Sequence, residues 1–233
     1  MQQSQKGVPL FVRQIFLILW KDFLAERRTK ESFPQMLMFA LLILVIFNVT
    51  IQIGTPLQDF LPGLLWIAFT FAGILGLNHS FSLEHDNACL EGMRLCPVDR
   101  SAIYLGKVLG NFLFMVLTEL ILFPVIVILF NLTPGRHFIT LAGVVLLGTL
   151  GFTAIGTLFA AMSANTKIRE VLLPLLVFPI VIPILIAAVK ATTKILAQQP
   201  WAEISFGIQF LIVFDLIFLG LATLTFEHIL ESE

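Results

Sequence analysis

The chain has 233 residues, of which 58% are of the AVILMFWYC set and only 12% are charged, with a formal net charge of −1. That composition excludes an ordinary water-soluble domain and places the chain in the membrane class. Bulk charge identifies no partner, and no nucleic-acid partner is expected; the useful quantity is where the charges sit.

Residues 9–31 carry charge too often to span a bilayer. Arg13, Gln14, Lys21, Asp22 and Arg28 form one narrow polar stripe, and Phe11, Ile15, Ile18, Leu19, Trp20, Phe23 and Leu24 cover the rest. The pattern predicts an amphipathic elbow helix lying in the interface, with its basic residues toward lipid phosphates and Trp20 at headgroup depth. Ser32-Phe33-Pro34 then supplies a break and a new helix start, because proline is tolerated in a first turn.

Six uncharged stretches follow, roughly Gln35–Phe47, Phe60–Leu83, Val108–Leu132, Phe138–Asn165, Val171–Val189 and Ile204–Phe226, and only Glu119 and Asp215 interrupt them with formal charge. A hydrocarbon core about 30 Å thick needs about 20 apolar helical residues, and lipid offers the backbone no partner, so each stretch must close its own hydrogen bonds. The expected fold is all-α, a polytopic membrane protein with six transmembrane helices. Its organisation is a cytoplasmic N-terminus and elbow at 1–33, one membrane domain at 34–226 and a short cytoplasmic tail at 227–233.

The connection after the second span is the most charged internal segment. Leu90, Met93 and Leu95 can form an apolar edge, while Glu84, Asp86, Glu91 and Arg94 are expected to stay wet. Gly92 lowers helix propensity and Pro97 ends any helix before it. The reading is a short amphipathic coupling helix along the cytoplasmic face, after which Asp99 or Ser101 caps span three. Cys89 and Cys96 in this segment fit no redox or zinc spacing and read as ordinary thiols.

Gly106 and Gly110, then Gly156, Ala160 and Ala164, place small residues at four-residue intervals, where helix backbones approach closely. Three prolines in span five (Pro174, Pro179 and Pro183) are expected to kink or break it. Thr192–Glu203 reads as an irregular or re-entrant segment. Of the 14 Lys and Arg, 11 fall on the side of the N-terminus and three (Arg136, Lys190 and Lys194) on the other, which predicts both termini in the cytoplasm. No cleavable signal is read at the N-terminus. The sequons at Asn48 and Asn131 are taken as chance.

No P-loop, H-E-x-x-H or G-x-S-x-G is present, so no ATP binding, zinc or serine chemistry is expected of this chain. The histidines (His79, His85, His137 and His228) are too scattered for a metal cluster, and neither His79 nor His137 reads more readily as a heme contact than as a polar helix end or loop. Glu119 and Asp215 lie mid-span, where an ionisable group is a functional candidate by default. The alternative, a carboxyl that only fixes helix packing, carries more weight.

Glu84 through Lys107 reads E-H-D-N-A-C-L-E-G-M-R-L-C-P-V-D-R-S-A-I-Y-L-G-K. This resembles the acidic residue, Leu-Glu and Leu-x-Pro pattern after span two of ABC-2 type permeases. With Leu65 through Asn78, and above all Pro97-Val-Asp99-Arg100-Ser101, it resembles more narrowly the CcmB family, the heme exporter permeases of cytochrome c maturation. The resemblance implies an ATPase subunit (CcmA-like) docking through Glu84, Leu90, Glu91, Gly92, Arg94, Leu95 and Pro97. It also implies a heme-handling membrane protein (CcmC-like), a small single-span protein (CcmD-like), a periplasmic heme chaperone (CcmE-like), a homodimer of the chain and an inner-membrane location. Heme is implied as a handled species and ATP only in the partner; no cofactor-binding residue is assigned here. Rival readings are a lipid or polysaccharide permease, an ATPase-coupled scaffold that transports nothing, and proton-coupled transport through Glu119 and Asp215.

Overall fold

The computed structural model describes residues 8–50, 56–86, 92, 98–132, 138–164, 166 and 168–232. Among them are seven long helices and no strand: α1 (Val8–Thr29), α2 (Ser32–Thr50), α3 (Leu57–Asp86), α4 (Arg100–Leu129), α5 (Phe138–Ser163), α6 (Arg169–Leu196) and α7 (Trp201–Ser232). Helices α2 to α7 are the six long and apolar enough to cross a membrane. They alternate in direction, so α1, the start of α4 and the end of α7 share one end of the bundle, called here the α1 end.

The boundaries follow local chemistry. The Asp99 side chain accepts from Ser101 N at 3.0 Å and caps α4, satisfying a donor that a helix start leaves open. Lys30, Asn131 and Gln198 adopt positive φ, 54°, 50° and 54°, each just past a helix end, where a left-handed residue turns the chain out of the helix. The elbow is latched: Phe33 N donates to Glu26 Oε1 at 2.7 Å.

Helix α5 is the hub, packed against α3, α4, α6 and α7. Its inner face is made of small or hydroxylated residues. Gly148, Thr149, Gly151, Thr153 and Thr157 are all buried, and the threonine hydroxyls Thr149 and Thr153 bond to a carboxylate and to the helix's own carbonyls respectively. Small side chains let four neighbours close on one helix.

Three expectations change. The prolines of span five lie inside one helix, α6, and do not break it; each removes one N–H, and a bundle environment re-satisfies such freed carbonyls. Helix α6 also runs through Thr192 to Leu196, and only 197–200 separate it from α7, so Thr192–Glu203 is not an irregular segment. The third concerns α1. Its stripe divides: Gln14 Oε1 accepts from Asp99 N and Lys21 and Asp22 turn toward the bundle, while Arg13 and Arg28 stay exposed; Ile18 is buried, and Phe16, Leu17 and Trp20 are more than half exposed. An apolar face turned outward over a polar inner stripe is the arrangement that lipid, not water, favours.

Tyr104 ties the α1 end of the hub. It is fully buried, its hydroxyl donates to Ala154 O at 2.9 Å, and its ring lies 5.3 Å from that of Phe226. Tyr104→Phe is expected to lower stability by about 1 kcal/mol, the usual worth of one such bond, read as a small fall in Tm in mild detergent with the fold intact.

Candidate functional site

Four charges meet at the α1 end where α1, α3 and α4 converge. Lys107, in the second turn of α4, is 1% exposed. Its ammonium lies 2.9 Å from Asp22 Oδ2 and 2.5 Å from Glu84 Oε1. Lys21 reaches the same two acids, 3.1 Å from Asp22 Oδ1 and 2.5 Å from Glu84 Oε1. The Phe81 ring lies 5.6 Å from the Lys107 ammonium, within cation–π range. Two cations and two anions cancel, and that is what lets them leave water: an isolated buried charge would cost several kcal/mol.

The sequence dictates this geometry from three separate places. Lys21 and Asp22 are adjacent, so they flank one face of α1. Gly106 allows α1 to come down on α4, because a Cβ there would lie 2.9 Å from Ile18 Cβ. A Cβ on Gly110 would lie 3.4 Å from Asp22 Oδ2. Glu84 stands in the last turn of α3. Burial lowers the Lys21 ammonium, but Glu84 and Asp22 together outweigh it and raise its pKa above the ordinary lysine value. A raised lysine stabilises fully below its unfolded pKa, near 10.4, and loses that contribution only as pH climbs through the higher folded value. The Lys21 contribution is therefore constant across physiological pH.

Glu84 was expected to stay wet. It is 5% exposed, because two lysines distant in sequence neutralise it. Gly92 is exposed with nothing within 4 Å of a Cβ placed there. Leu90, Glu91, Arg94, Leu95 and Pro97, with Cys89 and Cys96, lie outside the described residues. The charge cluster thus brackets the connection between α3 and α4: Glu84 before it and Lys107 after it are joined to each other.

The mid-span carboxyls are not joined. Glu119 accepts from Thr149 Oγ1 at 2.6 Å and leaves Oε2 without a partner. Asp215 is buried against Gly151 and Ile184, and neither of its oxygens has a hydrogen-bond partner. They approach α5 at Thr149 and Gly151, about 200° apart around the helix, so the hub separates them. His79 Nε2 lies 3.6 Å from Glu31 Oε2, too far for a hydrogen bond. Among the described residues no group of His, Cys, Asp and Glu could hold a metal ion. Gly156 backs onto Leu77 and Ala160 is buried in the core.

Lys21, Asp22 and Lys107 were not singled out as a site from sequence. The signal was present: Lys107 sits one turn inside an apolar run, and an unpaired lysine there would be costly.

The family model described as CcmB protein matches residues 13–233. The chain is 31% identical over 174 residues to a protein of Pseudomonas aeruginosa named Heme exporter protein B, covering 75% of this chain and 78% of the relative. It is 30% identical over 171 residues to the protein of that name from Rhodobacter capsulatus, covering 72% and 78%. With the one from Paracoccus denitrificans it is 29% identical over 179 residues, covering 76% and 81%.

Proposed function

The chain belongs to the CcmB family, and on that premise we propose that it is the permease subunit of an ABC-type heme export system for cytochrome c maturation. It lies in the inner membrane with the α1 end in the cytoplasm, a placement supported by the 11-to-3 bias of Lys and Arg toward that end. Helix α1 rests in the cytoplasmic interface. Nucleotide is bound by a separate ATPase subunit, and a homodimer of this chain meets a pair of ATPase subunits. The complex also holds a heme-handling membrane protein, a small single-span protein and a periplasmic heme chaperone. ATP hydrolysis drives heme export or release of the heme-loaded chaperone.

The observation that carries the mechanism is the cluster of Lys21, Asp22, Glu84 and Lys107. An ATPase can bias a membrane protein only through contacts that differ between two conformations. Force applied to the segment from Glu84 to Pro97 enters α3 through Glu84 and α4 a little beyond Arg100. Because Glu84 and Lys107 are bonded, the two helices move as one body, and Asp22 carries α1 with them. Leu90, Leu95 and the backbone at Gly92 form the docking edge, with Glu91 and Arg94 at its rim.

The test is charge reversal at the rim. Glu91→Arg with Arg94→Glu is expected to abolish co-purification of the ATPase subunit and holocytochrome formation, while the permease remains monodisperse. Undiminished co-purification and holocytochrome yield would remove this segment as the docking element. Heme-loaded subunits in the complex would separate the heme exporter from a lipid or polysaccharide permease of the same architecture.

A further inference from the structure

A cavity of about 320 Å³ opens beside the charge cluster, between α1, α2, α3 and α4. Its volume is at the lower end of ligand sites, which run from about 300 to 1,000 Å³. Its wall is graded. At the α1 end it is charged, with Lys21, Asp22, Glu26, Arg28, Glu84 and Lys107; deeper it is mainly apolar, with Met36, Gly73, Leu77, Phe114 and Met115, Asn111 being the polar residue among them. From Glu84 to Gly73 along α3 is about 16 Å of helix, and from Lys107 to Met115 along α4 about 12 Å. A free small anion would use only the top of such a space; an amphipathic molecule would use all of it.

Two wall groups are uncommitted. Arg28 is exposed at the rim and, among the described residues, makes no ion pair or hydrogen bond, whereas both lysines are held by Asp22 and Glu84. Glu84 spends Oε1 on the two lysines, while its Oε2 is buried without a partner. A buried carboxylate oxygen without a donor is costly. The wall therefore offers one free cation for an anionic group, one free acceptor for an N–H or O–H donor, and an apolar shaft beneath them. The outward-facing apolar residues of α1, Phe23 and Leu24 beside Ala25 on the wall, bring bilayer lipid to the rim.

We propose that this cavity is a binding site for a phospholipid with an amine headgroup: phosphate on Arg28, ammonium toward Glu84, and the upper part of one acyl chain between Gly73, Leu77 and Met115. The site does not depend on the exporter reading; it would wedge α1 and α2 against α3 and α4 in a permease of any substrate.

Native mass spectrometry of the purified chain in mild detergent tests it, with four probes: dioleoyl phosphatidylethanolamine, dioleoyl phosphatidylcholine, dioleoylglycerol and inorganic phosphate. One phosphatidylethanolamine per chain is expected to survive detergent removal, with the other three retained at least tenfold less. Arg28→Ala, at an exposed position, is expected to weaken retention about tenfold, the worth of one charged hydrogen bond. Ser80→Trp, filling the wall from α3 one turn below Glu84, is expected to abolish it while Tm stays within a few degrees. Equal retention by wild type and both variants would mean annular lipid only and overturn the site. Equal retention of phosphatidylcholine would overturn the assigned headgroup. Displacement of the lipid by equimolar hemin, lost in Ser80→Trp, would assign the cavity to a porphyrin instead.

Discussion

Replacing Lys107 with methionine is expected to cost about 3–5 kcal/mol, the penalty for removing one partner from a buried ion pair. The methionine fills the same space, so the loss is electrostatic. Asp22 and Glu84 would then face each other with Lys21 as their only cation, and Lys21 is 38% exposed, where an ion pair is worth well under 1 kcal/mol after screening. Lys21→Met should for the same reason be mild. Thermal unfolding in detergent, with fluorescence-detected size exclusion, reads both. A second variant separates stability from coupling: Asp22→Asn, Glu84→Gln and Lys107→Met together leave the half-exposed Lys21 as the cluster's one charge and should regain most of the lost Tm, since an apolar or neutral replacement of a buried ion cluster is often harmless. If the cluster transmits movement, this triple variant still binds the ATPase subunit but yields far less holocytochrome.

Gly148→Leu is expected to be nearly as damaging, for a steric reason. A Cβ at Gly148 would run into the edge of the Trp66 indole, with Cζ2 at 3.1 Å and two further ring carbons closer. The ring cannot swing away cheaply, because Trp66 is buried and its Nε1 donates to Thr192 Oγ1 at 3.1 Å. Overpacking costs about 1–3 kcal/mol, and loss of the indole bond adds about 1. The expected result is a strong fall in Tm and in the yield of monodisperse protein. Gly220→Leu is the control: nothing lies within 4 Å of its Cβ, and its effect should stay within about 0.5 kcal/mol. Equal damage from both would mean that helix propensity or insertion, not the Trp66 contact, sets the cost.

The six spans are legible in the sequence because lipid demands length and apolarity, and the chain supplies both. Where the reading stops short, charge is the reason. The uncharged run of span three reads from Val108 with Asp99 or Ser101 as the cap, and α4 does begin at Arg100 behind an Asp99 cap; what the sequence does not show is how Lys107 is tolerated inside that helix, which pairing with Asp22 and Glu84, 85 and 23 residues away, provides. Span five was ended at Val189 before Lys190, yet α6 continues to Leu196. There Lys194 donates to Glu203 O at 3.0 Å, its long stem covering apolar surface while the ammonium reaches the end of the bundle. The polar stripe of α1 was legible as a stripe, but periodicity does not say which face meets protein. Glu84 looked wet for a related reason: local hydrophilicity cannot reveal two distant lysines. The separation of Glu119 from Asp215 depended on where each meets α5, which no property of either span encodes.

The most direct test of the coupling mechanism is a photo-crosslink from residue 92. Gly92 is exposed and open around its Cβ, so p-benzoylphenylalanine at this position should leave the bundle undisturbed. Irradiation of intact cells is expected to give an adduct with the ATPase subunit that weakens when Glu91 and Arg94 are reversed. An adduct with a periplasmic protein, or none with the ATPase while holocytochrome is made normally, would contradict the placement of this connection as the input for ATP-driven movement.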